Sequence, residues 1–209
     1  MTGGGENIPM TSSQQEPFLT ERFDNAVKFA HKVHRLQIRK ETTIPYISHL
    51  LSVAGLVLES GGDEDLAIAG LLHDAVEDAE DISGEEMSVL IRSEFGDRVA
   101  DIVDGCSDAK SSTGGSKPPW KSRKKAYIKH LSSASIDVLR VSIADKVHNA
   151  RSIATDQDRF GEVVWDRFTS TSEESRWYYT SLRDIYKERI SDSYLIKELD
   201  IAIARIWPD

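Results

Sequence analysis

Residues 70–80 read GLLHDAVEDAE, a stretch in which an apolar start leads into one histidine and four carboxylates. His73 and Glu77 are four residues apart, as are Asp74 and Asp78. On a helix, residues with this spacing lie one above the other on the same face. The spacing therefore predicts a helix that runs to about Asp78 and presents two adjacent columns of polar side chains.

This arrangement has two interpretations. In the first, His73 and Asp74 supply a nitrogen and an oxygen to a divalent cation, and Glu77 and Asp78 orient or deprotonate a water molecule. In the second, the carboxylates form a solvated stripe and the histidine is a hydrogen-bonded core residue, which is the commoner fate of such groups. Further metal ligands from elsewhere in the chain are needed to decide between them.

Helical periodicity recurs along most of the chain, and no convincing strand alternation interrupts it. Ser83 and Glu86 have the spacing of a capping box. The predicted helices lie at about 20–37, 47–59, 63–78, 83–95, 97–105, from 120 onward, 136–154, 172–190 and 193–206. The sequence thus predicts an all-α fold, a compact multi-helix bundle. Residues 1–18, rich in Gly, Ser, Thr and Gln, are predicted to be a flexible tail.

Composition narrows the class of protein. The net charge of −9 over 209 residues argues against general nucleic-acid binding. No run of ~18 apolar residues and no signal-peptide pattern is present, so we expect no membrane association. Cys106 is the single cysteine, which favours a reducing compartment, the cytoplasm.

Residues 110–130 hold seven Lys or Arg and no acid, and either bind a small anionic ligand or form a solvated basic loop.

Two other segments offer further metal ligands. His49 lies in PYISHLLSVAG, at the start of an apolar helix, and Asp145 lies in VSIADKVHNARSI. Asp145 follows the apolar run 141–144, where an unpaired carboxylate would be costly. It therefore needs a cation, which is either a metal ion or a lysine or arginine in a buried salt bridge.

The order His49, then His73 and Asp74, then Asp145 resembles the H…HD…D signature of HD-domain metal-dependent phosphohydrolases. A closer resemblance, over about residues 20–155, is to the hydrolase domain of RelA/SpoT homologues, which remove the 3′-pyrophosphate of the alarmone (p)ppGpp. Its most specific element is the ED pair after HD. The segments that carry it are HKVHRLQIRKETTIPYISHLLSVAGLVLE, AIAGLLHDAVEDAE, FGDRVADIVDGCSD and RVSIADKVHNARSI.

The resemblance implies a stand-alone small alarmone hydrolase, with an HD-type phosphohydrolase domain at residues 19–209. It implies hydrolysis of (p)ppGpp to pyrophosphate and GDP or GTP, with Glu77 and Asp78 directing the attacking water. The implied cofactor is one Mn²⁺ ion. Its implied ligands are His49, His73, Asp74 and Asp145.

The same resemblance implies residues that bind the substrate. Arg39 and Lys40 match the basic pair that lies along the nucleobase and phosphates, and Asn149 matches an asparagine at the ribose and phosphate region. Lys121 and Arg176 are added because a phosphate-rich ligand needs cations and they lie in segments that the family places near the site. The remaining histidines stay unassigned, namely His31, His34, His130 and His148.

Other functions remain open at this stage. The same site is compatible with (pp)pApp, with removal of the 2′-phosphate of NADPH, or with a different HD-superfamily activity such as 5′-nucleotidase chemistry. A non-enzymatic nucleotide sensor is a further alternative, although a binder gains nothing from a water-activating carboxylate beside a metal. In each case the expected partner is a small nucleotide. A homo-oligomer is also compatible with the sequence.

Overall fold

The computed structural model of the chain describes residues 18–78, 82–108 and 118–208. The predicted tail at residues 1–18 lies, except for Phe18, outside the described residues. Within them the structure is helical, and extended pairing is limited to a single bridge between Ile38 and Pro45. This confirms the all-α prediction. The helices are α1 (Glu21–Val33), α2 (Ile47–Glu59), α3 (Glu64–Leu72), α4 (Gly84–Phe95), α5 (Asp97–Cys106), α6 (Trp120–Leu131), α7 (Ile136–Phe160), a 3-10 helix (Gly161–Arg167), α8 (Ser172–Arg189) and α9 (Leu195–Ile206).

Side-chain caps fix the start of several helices. The Ser83 hydroxyl accepts from the Glu86 backbone N–H, and the Glu86 carboxylate accepts from the Ser83 backbone N–H. The capping box predicted from the sequence is therefore confirmed. Asp63 caps α3 by accepting from the Leu66 backbone N–H at 3.0 Å. Such caps satisfy backbone donors that have no partner inside the helix.

Helix α3 is the centre of the bundle. Every residue from Leu66 to Leu72 is buried, because α1, α2, α5 and α7 all pack around the helix. A helix that is apolar on all sides is stable only in such an interior position. The first turn of α2, the end of α3 and the middle of α7 consequently lie close together. No helix among the described residues is long and apolar enough to cross a membrane.

The prediction that this helix continues to about Asp78 is wrong. α3 ends at Leu72, and the backbone N–H groups of Ala75 and Glu77 bond three residues back rather than four. The reason lies in His73, whose Nδ1 contacts the Gly70 carbonyl at 2.8 Å. The ring takes a terminal carbonyl of the helix, so the following residues form tight turns. The regular helix that would carry the two columns of polar side chains therefore stops before them, although the Asp78 backbone N–H still bonds the Asp74 carbonyl four residues back at 3.0 Å.

Smaller boundary differences also occur. α1 ends at Val33 rather than near Gln37, and α7 continues to Phe160 rather than to about residue 154. The 3-10 helix that follows α7 was not predicted. Helix ends depend on tertiary contacts that periodicity does not report, so errors of a few residues are expected there.

Candidate metal centre and active site

The structure brings the four predicted metal ligands together at the junction of α2, α3 and α7. The His49 Nε2 atom lies 3.5 Å from Asp74 Oδ2 and 3.3 Å from Asp145 Oδ1. The His73 Nε2 atom lies 3.0 Å and 3.7 Å from the same two oxygens. One ligand atom from each of His49, His73 and Asp74 falls within 4.8 Å of the others. Residues 96 positions apart in sequence thus form one cluster.

The donor set fits a divalent cation. Among the described residues, the buried Nε2 atoms of His49 and His73 have no partner in hydrogen-bond geometry, although carboxylate oxygens are close by. Imidazole nitrogens and carboxylate oxygens that converge in this way match the ligands of borderline and hard metal ions. His73 also donates from Nδ1 to the Gly70 carbonyl, which leaves its Nε2 lone pair directed at the cluster.

The charges in the cluster show the same need for a cation. Burial lowers the pKa of His73, but Asp74 and Asp145 outweigh burial and hold that pKa well above its usual value. Burial raises the pKa of Asp145, but Lys146 and the two histidines hold it well below its usual value. The carboxylates therefore stay ionised and hold a positive charge at the imidazoles, which is either a proton on His73 or a bound cation in its place.

Neighbouring side chains orient the carboxylate ligands. The Tyr46 hydroxyl donates to Asp74 Oδ2 at 2.6 Å, and Lys146 Nζ donates to Asp145 Oδ2 at 2.6 Å. Asn149 Nδ2 donates to the other oxygen of Asp145. Partners of this kind fix the orientation of metal ligands. Sequence reasoning assigned no role to Tyr46 or Lys146; the buried run preceding Asp145 was the available signal for the cation beside it.

The two residues of the acidic pair point to different places. Glu77 lines a small polar cavity of about 140 Å³ together with His73, Asp74 and Asp145. Asp78 accepts a hydrogen bond from Gln37 Nε2 at 2.9 Å and lines a separate cavity. This difference follows from the tight turns after α3. Only Glu77 of the pair lies beside the predicted metal ligands in the same cavity.

Asp108, a residue not predicted from the sequence, fixes the position of the Glu77 side chain and raises its pKa. Glu77 Oε1 accepts from the Asp108 backbone N–H at 2.5 Å. Burial, followed by the negative charges of Asp108 and Asp74, raises the pKa of Glu77 to about 7. A buried carboxyl with a pKa near neutrality is suited to proton transfer.

Asp108 is in turn held by the basic segment of α6. Its side chain is 4% exposed and pairs with Arg123 Nη1 at 2.7 Å and Lys124 Nζ at 2.5 Å. A lone acid just before a strongly basic segment was the sequence signal that could have identified this ion pair. Of residues 110–130, those from 118 onward are described, and here their charge neutralises an acid of the chain itself.

A larger cavity of about 590 Å³ adjoins the metal cluster. Both cavities are lined by Arg39, Tyr46, Lys124, Lys146 and Asn149, so the two cavities are adjacent and share a wall. Other cations on its lining, not predicted from the sequence, are Arg151, Arg159 and Arg167. The spacing of Arg151 and Arg159 would have shown a helical face if α7 had been extended beyond residue 154. The cavity is thus walled by cations and aromatic rings.

The predicted substrate-binding residues divide into two groups. Arg39, Lys40 and Asn149 line the larger cavity, and Arg39 Nη2 donates to Asn149 Oδ1 at 2.8 Å. Lys121 and Arg176 are absent from the linings of both cavities among the described residues. Lys121 instead pairs with Glu174 at 3.3 Å, and Arg176 is exposed on α8. The structure therefore brings three of the five predicted residues to the cavity.

Comparison with known proteins identifies the family. The family model described as HD domain matches residues 26–168. The chain is 35% identical over 131 residues to the guanosine-3′,5′-bis(diphosphate) 3′-pyrophosphohydrolase of Xenopus tropicalis, covering 61% of this chain and 67% of that protein. It is 36% identical over 125 residues to a probable enzyme of the same name from Synechocystis sp., covering 60% of this chain but 16% of that longer protein.

A solved structure supports the fold. The structure described as a metazoan ortholog of SpoT that hydrolyzes ppGpp superposes with a TM-score of 0.67, covering 91% of this chain and 97% of that chain. At 24% identity this likeness shows the fold alone. The family model covers well over half of the chain. The chain therefore belongs to the HD-domain family, in the branch of RelA/SpoT-type alarmone hydrolases.

Proposed function

We propose that the protein hydrolyses the 3′-pyrophosphate of (p)ppGpp in a Mn²⁺-dependent reaction and releases pyrophosphate and GDP or GTP. The observation that carries this proposal is the position of Glu77 in one small cavity with the histidine and aspartate cluster, next to a larger cavity walled by cations. The activity after which the Xenopus relative is named supports this choice of substrate.

The proposed metal site uses His49, His73, Asp74 and Asp145. Their converging nitrogen and oxygen atoms fit one divalent cation. When bound, such a cation polarises a phosphoryl oxygen and lowers the pKa of a nearby water molecule. Tyr46, through its hydrogen bond to Asp74, keeps one carboxylate in place for this role.

Glu77 is the proposed general base. Its carboxylate lies in the cavity of the metal ligands and has a pKa of about 7, so it can take a proton from water near neutral pH. The water oxygen forms a bond to the phosphorus next to the sugar, and the bond from that phosphorus to the 3′ oxygen breaks. The 3′ oxygen takes up a proton from solvent or from Glu77, which thereby returns the proton that it took from the water. The sequence suggested the same task for Asp78. We propose instead that Asp78 stabilises the turn after α3 by accepting a hydrogen bond from Gln37.

The cations of the shared wall are proposed to bind the phosphates. Arg39, Lys124 and Lys146 line both cavities and can offset the charge that grows on a phosphoryl group during transfer. Lys40 and Asn149 are proposed to contact the nucleoside from the larger cavity. Roles for Lys121 and Arg176 remain predictions without support from the cavity linings.

The remaining predictions concern the whole protein. We propose that residues 19–209 form the phosphohydrolase domain, that its partner is a small nucleotide, and that it works in the cytoplasm. The half-buried thiol of Cys106, whose pKa is raised above its ordinary range by burial, is compatible with a reducing compartment.

A substrate panel tests this proposal. Purified protein is incubated with Mn²⁺ and, in separate reactions, ppGpp, pppApp and NADPH, and products are resolved by anion-exchange chromatography. We expect ppGpp to yield GDP and pyrophosphate in equal amounts. The same reactions are run with Glu77→Gln, which removes the proposed base. Glu94→Gln, the same substitution on the exposed face of α4, is its matched control. Consumption of only pppApp or only NADPH would reassign the substrate, and no turnover of any nucleotide would refute a hydrolase.

A further inference from the structure

We infer that His148 is a positioning residue that fixes His49 in the tautomer able to bind the metal ion, with the proton on Nδ1 and a lone pair on Nε2. This inference rests on the metal centre of the proposed function, and on no particular substrate. His148 belongs to α7, three residues after Asp145. One helix would therefore supply both a metal ligand and the support for a second ligand on α2.

The contact between the two histidines is direct. Their Nδ1 atoms lie 2.8 Å apart, and their ring centroids lie 4.8 Å apart. The His49 side chain is completely buried, so water does not compete for its Nδ1. At this distance one nitrogen donates a proton and the other accepts it, because two bare nitrogens or two N–H groups would repel each other.

The position of that single proton decides whether His49 can bind a cation. If His49 carries it on Nδ1 and donates to His148, the Nε2 lone pair of His49 is directed at Asp74 and Asp145. If His148 donates instead, neutral His49 carries its proton on Nε2, where the metal ion should sit. The metal-binding arrangement therefore requires His148 to accept at Nδ1 and to keep its own proton on Nε2.

The other histidine ligand shows why this matters. His73 has a backbone carbonyl, that of Gly70, as its Nδ1 partner at 2.8 Å. A carbonyl only accepts, so the tautomer of neutral His73 is set by the fold itself. His49 has a partner that can either donate or accept. The tautomer of His49 therefore depends on the His148 imidazole, which also lines the larger cavity.

Substitutions at position 148 test this inference by Mn²⁺ affinity, measured from the loss of the electron paramagnetic resonance signal of free aqueous Mn²⁺. His148→Leu removes the acceptor, and we expect Mn²⁺ to bind about 10- to 100-fold more weakly. His148→Asn offers a carbonyl oxygen close to the former Nδ1 position, and we expect it to restore most of that loss. His31→Leu, at an exposed histidine of α1, is the control for incidental binding of Mn²⁺ to histidine.

Each outcome bears on the inference separately from the substrate. Unfolding temperatures without metal are compared first, and His148→Asn keeps the test valid if the leucine variant is poorly folded. Equal Mn²⁺ affinity in the wild type and both position-148 variants would overturn the inference, even if ppGpp is hydrolysed. Equal weakening in the Leu and Asn variants would overturn it too. The expected order of affinities would support it even if ppGpp is not the substrate.

Discussion

Glu77 and Asp78 are neighbours in sequence, but their side chains line different cavities. Glu77 contacts the Asp108 backbone beside the metal ligands, whereas Asp78 accepts from Gln37. At the scale of single residues, we therefore propose that Glu77 transfers the proton and that Asp78 has a structural role. This separation can be measured.

Replacement of each acid by its amide distinguishes the two roles. We expect Glu77→Gln to lower kcat by at least ~100-fold, because the proton acceptor is lost. Asp78→Asn retains an oxygen that can accept from Gln37, and we expect a loss below ~10-fold. Both variants should bind Mn²⁺ like the wild type. If Asp78→Asn is as impaired as Glu77→Gln, then both acids direct the water, as the sequence resemblance implies.

The pH dependence of turnover reports on Asp108. The base must be ionised, so activity should fall as the pH drops through the pKa of Glu77, which is about 7 before any lowering by a bound cation. The negative charge of Asp108 helps to raise this pKa, so Asp108→Asn should move the acid limb of the kcat profile to lower pH. An acid limb that stays in place, or moves to higher pH, would argue against this coupling.

At the scale of elements, the sequence predicted most helices but not the end of α3. Apolar periodicity and local caps such as Ser83 are encoded within a few residues, which is why most helices were predicted closely. The early end of α3 depends on the ring of His73 taking the Gly70 carbonyl, which periodicity does not reveal. The four metal ligands were predicted from a family resemblance, not from spacing alone.

Contacts between residues far apart in the chain could not be predicted from the sequence. His49 and His148 are separated by 99 positions, and Glu77 and Asp108 by 31, so no local pattern links them. The side chains of α6 likewise divide by contacts that spacing does not show. Lys121 pairs with Glu174 at the surface, whereas Arg123 holds the buried Asp108. The basic segment therefore contains residues with different functions.

Charge reversal on α6 separates these functions. Arg123→Glu places a like charge against buried Asp108, and we expect the free energy of unfolding to fall by about 3 kcal/mol and kcat to fall with it. Lys121→Glu breaks a pair whose lysine is more than half exposed, and its cost should be at most about 1 kcal/mol. Urea denaturation and steady-state kinetics measure both. Similar effects of the two reversals would show that α6 does not position Asp108.

At the scale of the whole molecule, the packing of α2 and α7 around α3 assembles the site. His49 comes from α2, His73 and Asp74 from the turn that follows α3, and Asp145 from α7. A ligand held by all three should resist their separation, since binding only to the folded state raises stability. Metal binding and global unfolding are therefore expected to be linked.

Calorimetric unfolding with and without Mn²⁺ tests this central claim most directly. At an Mn²⁺ concentration of about 100 times the dissociation constant, the wild type should gain about 2.7 kcal/mol. For a chain of this size that gain raises Tm by about 5 to 10 °C. Glu77→Gln should keep the rise, and Asp145→Asn should lose it. An equal rise in Asp145→Asn, or no rise in the wild type, would contradict a metal centre built from these four side chains.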